Sequence, residues 1–160
     1  MRRIALISLA LLAFAAAPTA ASTTHTLTFK SRPWHQVKMT GDPAAAPVMG
    51  DMFAYEKSAL FNLAGKRIGS GAATSTAVGM SSSTMSVLLS SVFSFPSGQL
   101  LSSGLQENTI GTNPLANAVT FTRAITGGTG RFAGARGVDE IVVKNGWVRH
   151  TISYTTINEL

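Results

Sequence analysis

Apolar and polar positions alternate with a period of two along most of the chain. From Thr24 to Lys30, His25, Leu27 and Phe29 fall on one side and Thr24, Thr26, Thr28 and Lys30 on the other, the pattern of a half-buried strand. The alternation is cleanest from Thr84 to Phe95: Met85, Val87, Leu89, Phe93 and Phe95 share one side, and Ser86, Ser90 and Ser94 the other. Further strands are predicted over Met52–Phe61, Lys66–Met80, Gln99–Gln106, Val119–Thr126, Val138–Lys144 and Trp147–Ile157, with a short one at Val37–Met39. In Lys66–Met80, one side (Gly69, Gly71, Ala73, Ser75, Ala77) is made of small residues, which suit close packing or a bend at a barrel corner.

The punctuation between these segments is that of a β protein. Asn145-Gly146 predicts a two-residue hairpin, because a type I′ turn needs φ > 0 at both central positions. Thr126-Gly127-Gly128-Thr129-Gly130 predicts a sharp corner. Gly41–Pro47 and Asn108–Asn117 read as loops, and no segment has the pattern of a long amphipathic helix. Roughly eight strands, with turn signals every ~8–12 residues, predict an all-β sandwich or barrel. An eight-stranded antiparallel β-barrel of up-and-down type fits best, since closure removes exposed edges.

The first residues change the picture. Arg2-Arg3, an apolar run from Ile4 to Ala17 and the small residues up to Ser22 have the form of a secretory signal peptide, expected to be cleaved near Ala21. The apolar run falls short of the ~20 residues that span a bilayer. The expected organisation is therefore a signal peptide, 1–21, and a single barrel domain, 22–160, secreted or periplasmic and with no stable membrane span after cleavage. The chain has no cysteine, so burial and hydrogen bonding must hold the barrel. Its net charge of +6 includes the two arginines of that leader. No basic stripe interleaved with aromatics occurs, which argues against a nucleic-acid partner.

Candidate chemistry lies where ionisable residues share a side with apolar ones. Arg123 falls with Val119, Phe121 and Ile125; Glu140 with Arg136, Val138 and Val142; His150 with Val148, Ile152 and Tyr154. Burying such groups unpaired is costly, so either they line a wet lumen, as an Arg–Glu and a His–Tyr pair, or they point outward or form structural ion pairs. His150 has the chemistry of a general base. Tyr55 and Glu107 are further substrate-binding candidates. His25, His35 and His150 are scattered and have no ligand-pair spacing, so no metal is expected. The glycines of TGGTGRFAG mimic a dinucleotide fingerprint, but that requires a following helix, and a β-rich run follows instead.

Four segments, in order, carry a family resemblance over roughly Val48 to Tyr154. They are Gly50-Asp51-Met52-Phe53; Leu60-Phe61-Asn62 through Lys66-Arg67-Ile68-Gly69; Gly98-Gln99-Leu100 through Gly104; and ITGGTGRFAGARG. Together they resemble the allene oxide cyclase-like and dirigent-like barrels, here as an exported bacterial-type member. The resemblance implies an eight-stranded antiparallel barrel, commonly a homotrimer, that works without metal or organic cofactor. It further implies binding of a small apolar reactive intermediate (oxylipin, phenolic or polyketide) and steering of its cyclisation or coupling, an isomerase-like activity. Arg136 matches the arginine of the dirigent A-R-G segment. The first strand, THTLTFKSR, lacks the glutamate that plant cyclases carry there. The sites expected on this basis are Arg136, His150 and Glu140 as catalytic groups, with Arg123, Tyr154, Tyr55 and Glu107 binding substrate. The alternative is a non-catalytic barrel, either a lipophile carrier or a structural oligomer, dimer or trimer, whose small-residue strand lets the interior pack shut.

Overall fold

Nine strands form in the computed structural model, which describes residues 22–110 and 119–157. They are β1 (Ser22–Ser31), β2 (Gln36–Lys38), β3 (Met52–Phe61), β4 (Arg67–Met80), β5 (Thr84–Phe95), β6 (Gly98–Thr109), β7 (Val119–Gly128), β8 (Arg136–Lys144) and β9 (Trp147–Ile157). The predicted signal peptide, and most of the loop predicted over Asn108–Asn117, lie outside the described residues. The short connection between β7 and β8 is one turn of 3-10 helix, Gly130–Phe132.

All strands pair antiparallel in the order β1-β9-β8-β7-β6-β5-β4-β3-β2, and a β1–β3 pairing closes the sheet. The ring has eight staves because β1 and β2 act as one interrupted strand. Lys30 and Ser31 pair with Phe61 and Leu60, and Gln36 resumes with Tyr55 in the same register. Arg32-Pro33 breaks the ladder between them, since proline has no N–H to donate. The predicted eight-stranded antiparallel barrel is the fold observed.

The turns follow the residue chemistry. Asn145 (φ 52°) and Gly146 (φ 69°) make the two-residue turn between β8 and β9. At the glycine-rich corner, a Cβ on Gly128 would lie 2.4 Å from the Phe132 carbonyl oxygen and 2.5 Å from that of Gln99. Only glycine lets the 3-10 turn fold back this closely and drive Phe132 into the barrel.

Inward residues fill the barrel unevenly. At the end next to the glycine corner, Phe29, Leu60, Phe93, Leu100, Phe132 and Ile152 form a buried cluster. Phe29 meets Phe93 edge-on at 5.1 Å and Phe95 at 5.6 Å, while Phe132 meets Tyr154 edge-on at 5.7 Å. This end is plugged. Towards the β4–β5 and β8–β9 turns, the small-residue side of β4 (Gly71, Ala73, Ser75, Ala77) faces inward. Trp34 and Tyr55 lie against Gly71 and Ser75, and beyond them space remains, so the interior is not packed shut.

Candidate functional site

That space is a cavity of about 650 Å³ at the end opposite the plug, within the ~300–1,000 Å³ of small-molecule sites. Its wall is largely apolar, with Met85, Leu89, Phe121, Val143 and Val148 among its residues. The β6–β7 ladder runs from Leu100–Gly128 to Ser103–Ala124, and beyond it Gln106 and Asn108 of β6 and Val119, Phe121 and Arg123 of β7 line the cavity.

Local backbone choices place each polar group. The break after Ser31 turns Trp34 inward, where its ring lies over Gly71; a Cβ there would sit 2.7 Å from Trp34 Cζ2. Trp34 also packs edge-on against Phe93 (6.2 Å) and Tyr55 (6.4 Å). Tyr55, from β3, shares a 3.3 Å hydrogen bond with Ser75 of β4. Arg123, 7% exposed, lies along β6 where Gly104 has no side chain to obstruct it. Its Nη1 donates to Ser91 Oγ (2.9 Å) and its Nη2 to Gln106 Oε1 (3.3 Å). Burial lowers the pKa of Arg123, and the Asp139 carboxylate opposes that shift.

Asp139 completes the site. It stands opposite Arg123 across the β7–β8 pair and is fully buried. His150, on β9 and 2% exposed, brings Nδ1 to 3.1 and 3.2 Å from its two carboxylate oxygens. Phe29 stacks on the imidazole at 4.8 Å, and Phe93 meets it edge-on at 4.9 Å. The ring is thus clamped and its Nδ1–H committed to Asp139, which leaves Nε2 to act on a molecule in the cavity that His150 lines. A histidine held this way can exchange a proton, and the arginine that lines the same cavity can hold a negative charge.

The structure brings together only part of the predicted set. Arg123, His150 and Tyr55 line the cavity. Arg136 and Glu140 do not: both are exposed on the outer side of β8, and Arg136 Nη1 donates to the Ala135 carbonyl at 2.7 Å. The expected Arg136–Glu140 pair does not line the lumen, because the inward phase of β8 is Asp139, Ile141 and Val143. Glu107 is exposed on the outside of β6. Tyr154 is buried but lies at the plugged end, stacked on His25 at 5.2 Å beside a smaller cavity of about 350 Å³. It therefore does not pair with His150. Asp139 was missed because valines occupy both sides of β8 and mask its phase. The signal was in the turn: a two-residue loop at Asn145-Gly146 opposes Lys144 to Trp147, hence Ile141 to His150, and puts Asp139 on the histidine's side.

A loop roofs the mouth, with Ala46 and Pro47 in the cavity wall. Asp51 anchors it: Oδ2 accepts from Lys38 Nζ (2.8 Å) and the Val48 N–H (2.8 Å), and Oδ1 from Thr40 Oγ1 (3.1 Å). These partners, Lys38 first, hold the Asp51 carboxyl below its ordinary range. The Gly50-Asp51 segment thus has a structural task at the rim. Among the described residues, no group of three or more metal-ligating side chains is assembled, and no helix is long and apolar enough to cross a membrane.

No protein-family model matches the sequence, and no match was found among curated proteins. Solved structures do match. A pyocyanin demethylase is 20% identical with a TM-score of 0.65, over 81% of this chain and 99% of the other. A pterocarpan synthase dirigent protein is 18% identical with a TM-score of 0.62, over 90% and 91%. An exo-specific intermolecular Diels-Alderase is 16% identical with a TM-score of 0.60, over 84% and 97%. At these identities the likeness is one of fold, and it is the barrel that the sequence motifs resemble.

Proposed function

We propose that this protein is an exported barrel that takes a small, largely apolar reactive intermediate into its lumen and steers the cyclisation or coupling of that molecule. The observation that carries this reading is the open, mostly apolar lumen with an arginine and a carboxylate-held histidine among its lining groups. Catalysis of this kind needs positioning and exclusion of water more than many functional groups. Barrels of the same fold are named for dirigent and Diels-Alderase activities, which supports the choice of reaction class. Oxylipin, phenolic and polyketide intermediates all suit the cavity. The reaction calls on the chain's own residues and on no resident metal or organic cofactor.

The test is a product-distribution assay with phenolic radical pairs and unstable oxylipin epoxides. The protein should shift the stereochemical ratio away from that of the spontaneous reaction. Arg123→Ala and His150→Ala should return it towards the spontaneous value, while Arg136→Ala, on the outer surface, should not. Identical ratios with and without protein across both substrate classes would sink this reading.

Association with further copies of the same chain belongs to the same proposal. The outer side of β4–β6 is uncharged over Thr74, Thr76, Leu88, Ser90, Leu101, Ser103 and Leu105. Leu88 (48% exposed) and Leu105 (63% exposed) stand opposite each other on adjacent strands. This face suits a homotrimer or dimer contact, which sedimentation of Leu105→Lys against the parent protein would test.

A further inference from the structure

Three side chains of the cavity wall carry buried polar atoms that no protein group among the described residues satisfies. Trp34 Nε1, Ser31 Oγ and Arg123 Nε are buried without a partner, and all three residues line the main cavity. Folded proteins leave few such groups, because each orphan keeps the full desolvation penalty of burial. Two of the three atoms are obligate donors, so what they lack is an acceptor. Among the described residues, Arg123 also has no carboxylate within ion-pair distance; its amino groups rest on neutral Ser91 and Gln106. Trp34 and His150 both pack edge-on against Phe93, which brings the indole and the imidazole to one wall.

The charges point the same way. With His150 neutral, Arg123 and Asp139, opposed across β7 and β8, offset each other. A neutral ligand that passes an acidic O–H proton to Nε2 converts this arrangement into two adjacent pairs, imidazolium with Asp139 and oxyanion with Arg123. No isolated charge is then left in a desolvated site.

Resting on the lumen-binding reading above, we propose that the substrate is a planar conjugated enol or phenol that is ionised on entry. His150 Nε2 takes the hydroxyl proton, and the Arg123 guanidinium and Trp34 Nε1–H hold the oxyanion. The O–H bond breaks, an N–H bond forms at Nε2, and the electron pair stays on oxygen and spreads into the conjugated system. Returning the proton from Nε2 to a carbon of that system forms a C–H bond and completes a tautomerisation with nothing oxidised or reduced. Asp139 is a positioning residue that fixes the imidazole tautomer and offsets its charge.

The experiment compares binding of 7-hydroxycoumarin, a phenol whose neutral and anionic forms absorb at separate wavelengths, with binding of 7-methoxycoumarin, which has no proton to lose. At a pH where the free phenol is protonated, the protein should bind it with appearance of the anion band, and more tightly than the methoxy analogue. Arg123→Met and His150→Gln should each abolish that band. Asp139→Asn should weaken it while 7-methoxycoumarin still binds, a separation that loss of packing alone does not produce. If the hydroxycoumarin binds the parent protein only in its neutral form, the proposal is overturned and lumen binding stands. If neither coumarin binds, both fall. The parent-protein comparison decides the matter even where a variant fails to fold.

Discussion

The two ends of this barrel are built from the same strands and the same alternation, yet one is a plug and the other a vessel. At the plugged end the inward positions carry Phe29, Phe93, Leu100, Phe132 and Ile152. At the open end they carry Ser75, Ala77, Ser91, Arg123, Asp139 and His150. Strand pairing runs through most of both regions, and although the β6–β7 ladder stops at Ser103–Ala124 towards the open end, that does not decide how the interior fills. Side-chain volume does. The small residues of β4 leave room for Trp34 and Tyr55, and those two, with polar groups on β7 and β9, line the space that remains. One end therefore supplies stability through close packing, and the other gives up packing to hold a site.

Truncation at each end should break this comparison most sharply. Phe132→Ala removes the plug and should cost ~3–5 kcal/mol, whereas Leu89→Ala, facing space that is already open, should fall near ~2 kcal/mol. Denaturant midpoints of the two variants measure the gap, and equal losses would mean that the ends are packed alike.

A subtler change tests how the vessel is kept open. Gly71→Ala places a methyl against Trp34 Cζ2, so the indole must shift; overpacking of this kind costs ~1–3 kcal/mol. Affinity for 7-methoxycoumarin should change more than the unfolding midpoint does, because Trp34 lines the cavity. Unchanged affinity would remove Trp34 from the site.

The smallest effect is expected at the rim. The folded Asp51 carboxyl ionises below its ordinary range because Lys38, the Val48 N–H and Thr40 favour the charged form. Its contribution to stability is therefore complete above the unfolded-state pKa and is lost as pH falls through the lowered folded value. Asp51→Asn should flatten the acid limb of a stability–pH curve and leave its neutral region lower but level. An unaltered acid limb would show that the anchor carries no linkage.

Most strands and the Asn145-Gly146 turn were legible from period and turn chemistry, because both act over a few residues. The phase of β8 was harder to read. Val138 and Val142 suit a buried face as well as Ile141 and Val143 do, so the pattern points to Glu140 where the fold buries Asp139. Arg136 went outward with Glu140 for the same reason. Only the register carried across the hairpin from His150 resolves the ambiguity, and it does so in favour of Asp139.

By itself, then, the sequence determined an antiparallel all-β chain, its turns and the glycine corner, since alternation and positive φ are local properties. Which side of each strand faces in, and whether the interior is full, depend on sums over strands distant in the chain. The pairing of β1 with β3 closes the ring, and the pairing of β1 with β9 sets Phe29 opposite His150, where the rings stack. The β7–β8–β9 register brings Arg123, Asp139 and His150 together across 28 positions of sequence. Packing volume at each end then decided that one half is core and the other a cavity, because filling space is a property of all eight staves at once.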